Sequence, residues 1–539
     1  MTAATLAADP VVSAQRRLLG LHFLVGLGGI AVGLVSGALV ALDRSGIALD
    51  PARFYQGLTL HGVSLVYVTA LGFGGSFLSL SVMSALRCPL ASRRLVQGSL
   101  AAAGVGAALL VAAVVLDRAA VSVTFSPPLD AGAVFYLGAL LMVASVWAAS
   151  ANLIMTVRAW RRDHPRERLP LLAFASLVVL LAWDLATIGI GVELVVFLLP
   201  WSLGLTGTVD PLLDRILFWF TAPTHPSFFV LPAAVSWLVL LPHQLPAPRV
   251  RSTAVRAVLV AMMVLGVPGG LAAQAADPGV DENLKLLHVA FGLAGLVPLV
   301  ATGWLVVSSL EERARRAGCV GAVGWLRMLP WRDPSAAAQL LAMAGFAVGS
   351  GLALVADSGT LGLLVRGTAY ESGLLHLTMG AGLTLTVMGV AYWLVPHLTG
   401  HGLWGRRAAL VQPWLWLVGS MVLTAGTTGA GLGGQPAGIP LSATAYADEA
   451  WQVWGAISAA GGALMGVAGV LFLAVMVGTL RTRTPATVEV PTGPEERSPA
   501  WLDRPGAWLV VAVAAAVVAY FPVFVTHNYE LDVARFVGL

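Results

Sequence analysis

Long apolar runs recur along nearly the whole chain, and they constrain its fold more than any other feature. Each run is close to the roughly 20 residues that a helix needs to cross the hydrocarbon core of a bilayer. Charged residues make up only 11% of the 539 residues, whereas soluble proteins contain about 25%. The chain is therefore predicted to be an all-α polytopic membrane protein, and a soluble fold is excluded.

The apolar runs divide into about 13 predicted transmembrane helices. The predicted spans are 18–42, 56–85, 96–116, 132–157, 170–200, 215–241, 254–273, 284–309, 337–356, 371–396, 409–431, 451–479 and 506–526. The first run is too long for the apolar core of a signal peptide, so it is interpreted as a membrane span.

The distribution of Lys and Arg predicts the orientation of these spans. With the N-terminus in the cytoplasm and the C-terminus outside, 24 of the 31 Lys and Arg residues lie on the cytoplasmic side, which is the bias that membrane insertion produces. Residues 1–539 are expected to form a single membrane domain. Residues 481–504, rich in Pro, Thr and Glu, are expected to form a cytoplasmic loop before the last helix. Because the positive charges are distributed over loops, the net charge of +4 does not indicate nucleic-acid binding.

Six of the ten histidines fall inside the predicted spans or at their ends. They are His22, His61, His225, His288, His376 and His397. An ionisable side chain within the membrane is costly and is therefore a candidate functional residue. The alternative for each is a neutral imidazole that donates to a backbone carbonyl of a neighbouring helix, and the sequence leaves both interpretations open.

The depth of each histidine narrows the candidates. His61 and His376 both lie about a turn and a half below the predicted outer face, on two different spans. Two neutral imidazoles at one depth would hold a haem iron from both sides and leave no open coordination position. His225 and His288 also lie toward the outer side, so depth alone does not select the pair. His22 and His397 lie toward the inner face, where structural roles are expected.

Ordered motifs along the chain resemble those of one known family. They are YQGLTLHG, TFSPPL followed by FYLGA, FLLPWSLGL with VDPLLDRILFWFT, ADPGVD, GWLRMLPW and YWLVPHLTG. Together they resemble subunit I of the type B haem–copper oxygen reductases (cytochrome c oxidases) over nearly the whole chain. The resemblance implies a haem–copper oxidase subunit I-like bundle in the plasma membrane of a prokaryote.

The resemblance assigns roles to two of the histidines. In the family, the histidine of the Leu-His-Gly motif and the second histidine of a Gly-His-Phe-His-Leu motif are the axial ligands of the low-spin haem. These positions are His61 and His376, which implies one low-spin haem b. The first histidine of the second motif binds the high-spin haem in active relatives, and Leu374 stands there instead.

The family's copper ligands are also missing from this chain. Ala272 and Ala273 stand at the helix-7 His-His pair, and Pro223 and Ser227 stand at the helix-6 histidine and redox tyrosine. His225 comes two residues late, a shift that turns a helical side chain by about 200°. The resemblance therefore implies a degenerate form with no copper and no high-spin haem. The segment 434–440, GQPAGIP, also replaces a Pro-Arg-Arg stretch whose arginines pair with haem propionates in the family.

These losses favour a membrane haem b electron-transfer subunit with an oxidase-like scaffold and no catalytic residues of its own. Such a subunit would exchange electrons with other membrane or extracytoplasmic redox subunits, or with a cytochrome c, cupredoxin or quinol. One alternative is an active terminal oxidase with unconventional ligands. Another is a non-redox membrane assembly partner or transporter.

Overall fold

The computed structural model describes residues 10–47, 50–116, 119–221, 227–244, 251–274, 281–356, 358, 360–440, 449–485 and 498–537. These residues form a bundle of helices without regular strands. The helices are α1 (Pro10–Arg44), α2 (Pro51–Leu86), α3 (Arg93–Val115), α4 (Ala133–Asp163), α5 (Leu171–Ser202), α6 (Pro211–Thr221), α7 (227–243), α8 (Ser252–Gly269), α9 (Glu282–Arg316), α10 (Pro334–Ala356), α11 (Leu361–Val365), α12 (Ala369–Thr399), α13 (Arg406–Leu432), α14 (Glu449–Arg481) and α15 (Pro505–Val537).

Twelve helices among the described residues are long and apolar enough to cross a membrane. They correspond to all the predicted spans except the sixth, 215–241. That span falls on α6 and α7, which are separated by residues 222–226 outside the described part. The all-helical membrane fold is thus confirmed, and the thirteenth span and the orientation of the termini stay predictions.

The helices differ in how much of their surface is buried within the bundle. In the most apolar stretch of α5, 89% of the residues are buried, and in that of α2 the share is 83%. In the corresponding stretch of α9 it is only 17%, so α9 lies at the periphery with an apolar face exposed to its surroundings. Because lipid is as apolar as these side chains, an exposed apolar face is ordinary for a membrane helix.

Several enclosed helices contain π-helical segments, and two of these segments adjoin predicted haem ligands. In α2 the segment Ser64–Thr69 begins three residues after His61, and the Thr69 hydroxyl donates to the Ser64 carbonyl at 2.9 Å. In α12 the segment His376–Thr384 begins at the second ligand position. Such segments are frequent at functional sites, because they rotate the side chains that follow relative to a regular helix.

Small residues allow α13 and α14 to approach closely. A Cβ added to Gly461 of α14 would come within 2.2 Å of the Leu423 backbone nitrogen of α13. Because that separation is far below van der Waals contact, only glycine fits there. Close backbone approach of this kind is how membrane helices gain packing energy without a hydrophobic driving force.

A buried ion pair joins the loop before α15 to the bundle. Arg256 of α8 donates from Nη1 to Asp503 Oδ1 at 2.8 Å, and both side chains are almost completely buried. The Arg256 guanidinium also donates to the Leu169 carbonyl and lies over the Phe174 ring, 4.4 Å from its centroid. Arg161 donates to the other Asp503 oxygen at 2.9 Å. Arg256 is therefore a buried residue within α8.

Asp503→Ala is expected to destabilise the bundle by about 3–5 kcal/mol, because it leaves the Arg256 charge buried without its carboxylate. Unfolding in detergent micelles, followed by helical circular dichroism, measures the change. Glu312→Ala is the matched control, since it removes a carboxylate from an exposed ion pair with Arg251 and should change the unfolding midpoint little. Equal midpoints for the two variants would contradict the proposed stabilising role of Asp503.

Candidate functional site

Two imidazole rings face each other between α2 and α12. The ring centroids of His61 and His376 are 6.1 Å apart, and the ring planes differ by only 19°. The two histidines that the sequence places at one depth are thus neighbours in the bundle. Both rings are partly buried and retain some accessible surface.

Backbone carbonyls fix the orientation of both rings. His61 Nδ1 lies 2.8 Å from the Gly33 carbonyl of α1, and His376 Nδ1 lies 2.6 Å from the Ser372 carbonyl of its own helix. A carbonyl only accepts, so each Nδ1 carries the proton and donates. Each Nε2 therefore keeps a lone pair, which is the tautomer that a metal-binding imidazole needs.

The spacing of the rings fits one metal ion between them. An imidazole nitrogen binds a metal at about 2.0 Å and its ring centre lies about 1.1 Å behind it, so two imidazoles on opposite sides of one metal have centres about 6 Å apart. The observed separation is 6.1 Å. The two residues thus fit the axial positions of a haem iron, in both tautomer and distance.

Helix α1 holds His61 in place, a role that the histidine motif itself does not indicate. Besides the Gly33 carbonyl, α1 presents Gly37, where an added Cβ would lie 2.6 Å from His61 Nδ1. Gly29, Gly33 and Gly37 recur every four residues and so lie on one face of α1. This spacing is the sequence signal that would have identified α1 as the helix that packs against the ligand.

The remaining intramembrane histidines lie elsewhere. His22 is buried, with Nδ1 2.9 Å from the Gly72 carbonyl and Nε2 3.2 Å from the Ser99 hydroxyl, so its contacts are structural as expected. His397 Nδ1 lies 2.7 Å from the Trp393 carbonyl, one turn earlier in α12. His288 is fully buried on α9. His225 lies outside the described residues.

The positions where the resemblance expects other metal ligands carry no ligating side chain. Leu374 lies two residues before His376 on α12. Ala272 and Ala273 lie in the 3₁₀ turn Gly270–Gln274 that follows α8, and the Ala272 Cβ packs against Gly292 of α9. Ser227 begins α7, and Pro223 lies outside the described residues.

Polar side chains with unsatisfied hydrogen-bonding atoms lie close to this turn. The side-chain amide of Gln274 is fully buried, and neither its oxygen nor its nitrogen has a hydrogen-bond partner in the described part of the chain. The Tyr520 hydroxyl of α15 is likewise unpaired there and approaches Gly270. No sequence motif singles out either residue, because neither belongs to the family patterns given above.

A buried acidic pair lies between α5 and α6. Glu193 is 0% exposed and Asp214 1% exposed, and their carboxyl groups are neighbours. Two adjacent carboxyl groups inside an apolar bundle are not both ionised without a high cost, so one is expected to carry a proton. No three His, Cys, Asp or Glu side chains among the described residues converge as a metal-binding group.

Known proteins resemble this chain along most of its length. The family model described as "Cytochrome C and Quinol oxidase polypeptide I" matches residues 17–464. Cytochrome c oxidase subunit 1 of Thermus thermophilus is 34% identical over 533 residues, covering 94% of each chain. A shorter sequence of the same description, also from Thermus thermophilus, is 40% identical over 108 residues, 20% of this chain and 100% of that sequence.

A solved structure has the same arrangement of helices. A haem–copper terminal oxidase dimer determined by cryo-electron microscopy superposes with a TM-score of 0.87 at 26% identity, covering 94% of this chain and 92% of that one. The resemblance inferred from the sequence motifs is confirmed at the level of the family. The chain belongs to the cytochrome c and quinol oxidase polypeptide I family.

Proposed function

We propose that this chain is a membrane haem b electron-transfer subunit built on a cytochrome c oxidase subunit I-like scaffold, in which the family's oxygen-reducing centre has been lost. The observation that carries the proposal is the pair of facing imidazoles, His61 and His376, whose spacing and tautomers fit one iron. The pair is held by three helices, α1, α2 and α12, so its geometry depends on the scaffold and not on a mobile loop.

Two axial imidazoles determine what such a site does. A haem iron with both axial positions filled by histidine exchanges single electrons and has no open position for oxygen. The Gly33 and Ser372 carbonyls keep Nδ1 protonated and thereby maintain both imidazoles as neutral donors.

The side chains at the other family positions support the loss of oxygen chemistry. An alkyl group does not bind iron or copper, and Leu374, Ala272 and Ala273 offer nothing else. The expected helix-6 ligand and redox tyrosine are replaced by Pro223 and Ser227. Separate ligands to two different metals are thus absent together, while the two low-spin ligands remain. Loss of one function under retained selection for another is the simplest explanation of that pattern.

A subunit with one haem needs one partner that donates electrons to the haem and another that accepts electrons from it. Subunit I proteins of this family work with other redox subunits and electron donors. We propose other membrane or extracytoplasmic redox subunits, or a cytochrome c, a cupredoxin or a quinol, as partners of this chain. The plasma membrane of a prokaryote is the proposed location, since the relatives compared are bacterial.

Active oxygen reduction is the second candidate function, because both relatives described above are named cytochrome c oxidase subunit 1. It requires unconventional ligands to bind copper and a second haem. The buried amide of Gln274 and the Tyr520 hydroxyl are two polar groups near the turn that carries Ala272. Neither group alone replaces two imidazoles as a copper site. A non-redox assembly partner or transporter would need no haem at all.

A reduced-minus-oxidised spectrum of the purified protein should show a single six-coordinate b-type haem. Because both axial positions are filled, carbon monoxide added to the reduced protein should not shift that spectrum. A carbon monoxide-reactive haem would support an oxidase instead. A purified protein that binds no haem would support the non-redox alternative.

Replacement of either proposed ligand by alanine, His61→Ala or His376→Ala, should abolish the low-spin spectrum, because one imidazole leaves an axial position open. His225→Ala should leave the spectrum largely unchanged. Protein level and helical circular dichroism verify that each variant has folded. A low-spin spectrum that survives either ligand replacement would show that the iron is held elsewhere.

Gly37→Val should displace the His61 ring and convert low-spin haem to high-spin haem, because even an added Cβ would overlap the imidazole. The matched control is Gly28→Val on the same helix, where no atom lies within 4 Å of an added Cβ. The optical spectrum of each ferric protein measures the spin state. Equal low-spin content in the two variants would contradict the contact between α1 and the ligand.

A further inference from the structure

The last residue of α1 is a buried arginine that follows the buried Asp43. Arg44 is only 8% exposed. No hydrogen bond or ion pair joins its guanidinium to any residue that the structure describes, and the opposing charge nearest to it in sequence is the adjacent Asp43. A buried guanidinium is costly unless an anion both neutralises it and accepts its hydrogen bonds. A carboxylate that accepts hydrogen bonds from the guanidinium would therefore stabilise Arg44 beyond the attraction of Asp43.

The position of Arg44 relates it to the two facing imidazoles. It lies within electrostatic range of His376. On α1 it follows Gly37, the residue in contact with the His61 ring, by seven residues, which is about 10 Å along the helix. Arg44 therefore lies about two turns beyond Gly37 along α1.

A second hydrogen-bond donor lies at the same end of the bundle. Gln435 is 2% exposed, and its side-chain nitrogen has no acceptor among the described residues. Its backbone carbonyl accepts from Ala369, the first residue of α12, at 2.8 Å. His376 follows Ala369 by seven residues, the same spacing as between Gly37 and Arg44. Gln435 therefore lies beside the first residue of α12, about two turns before His376.

The loop that carries Gln435 packs against the start of both ligand-bearing helices. Ala437 donates to the Gly367 carbonyl at 2.8 Å, which fixes the loop beside the start of α12. Gly438 lies close to α2, since a Cβ added to it would be 3.7 Å from the side chain of Leu58, one turn before His61. The loop and the end of α1 thus bring a cation and an amide donor to the same end of the bundle.

We propose that Arg44 and the Gln435 side-chain amide bind the propionate carboxylates of the haem. This inference rests on the proposed function, because it requires a haem between His61 and His376. Haem presents two carboxylates at one edge of an otherwise apolar ring. A guanidinium forms two parallel charge-assisted hydrogen bonds with a carboxylate, and an amide donates a third. The same contacts neutralise Arg44 within the membrane.

Arg44→Gln should lower the midpoint potential of the haem and increase its rate of dissociation to apomyoglobin by about tenfold. The potential falls because an unneutralised carboxylate stabilises ferric over ferrous iron. Gln435→Leu should change both quantities in the same direction by less, since it removes a neutral donor. The measurements are a redox titration followed optically and a haem-transfer time course, both on the purified full chain.

Two further variants separate propionate binding from a structural role. Arg53→Gln removes an exposed arginine near the start of α2 and should leave the potential unchanged. Arg44→Lys retains the charge with fewer fixed donors, so it should restore most of the potential but not the dissociation rate. If Arg44→Gln does not assemble, Arg44→Lys and Gln435→Leu decide the question by the same two measurements.

The failure of this inference is distinguishable from failure of the proposed function. Unchanged potential and dissociation rate in Arg44→Gln and Gln435→Leu, with the low-spin spectrum intact, would overturn propionate binding and leave the electron-transfer role standing. A wild-type protein that binds no haem would overturn both. Lower haem content with an unchanged potential would assign Arg44 a purely structural role and would also overturn the inference.

Discussion

The facing imidazoles of His61 and His376 are the constraint around which the surrounding helices are arranged. Each Nδ1 is bonded to a backbone carbonyl, so each Nε2 keeps its lone pair, and the centroids of the two rings are 6.1 Å apart. Two such acceptors inside an apolar bundle cannot satisfy one another, because neither carries a proton. The metal ion proposed between them would satisfy both.

The family to which this chain belongs does not by itself determine the activity of the chain. The scaffold is that of cytochrome c and quinol oxidase polypeptide I, matched over residues 17–464. The chemistry depends on a few side chains that the scaffold positions, and the same fold hosts different functions when those side chains change. Leu374 and the pair Ala272 and Ala273 occupy positions where the family resemblance expects ligands. The proposed loss of oxygen reduction therefore rests on these residues and not on the fold.

Much of the fold follows from the sequence, because apolar length and charge bias are properties of local segments. The depth shared by His61 and His376 was likewise predictable, since the rise per residue of a helix is fixed. Which helices are neighbours, and which way each side chain points, depends on tertiary packing. For that reason the Gly33 carbonyl behind His61 and the pairing of Arg256 with Asp503, 247 residues away, became apparent only in the structure. Arg44 lies just beyond the predicted first span, and its burial likewise became apparent only in the structure.

The metal content of the purified chain tests the central proposal most directly. Iron and copper are counted per polypeptide by elemental mass spectrometry on protein isolated from membranes without added metals. One bis-histidine haem and no oxygen-reducing centre predict one iron and no copper per chain. Two irons together with one copper would show that the chain retains a second haem and a copper site, and would contradict the proposed loss of oxygen chemistry.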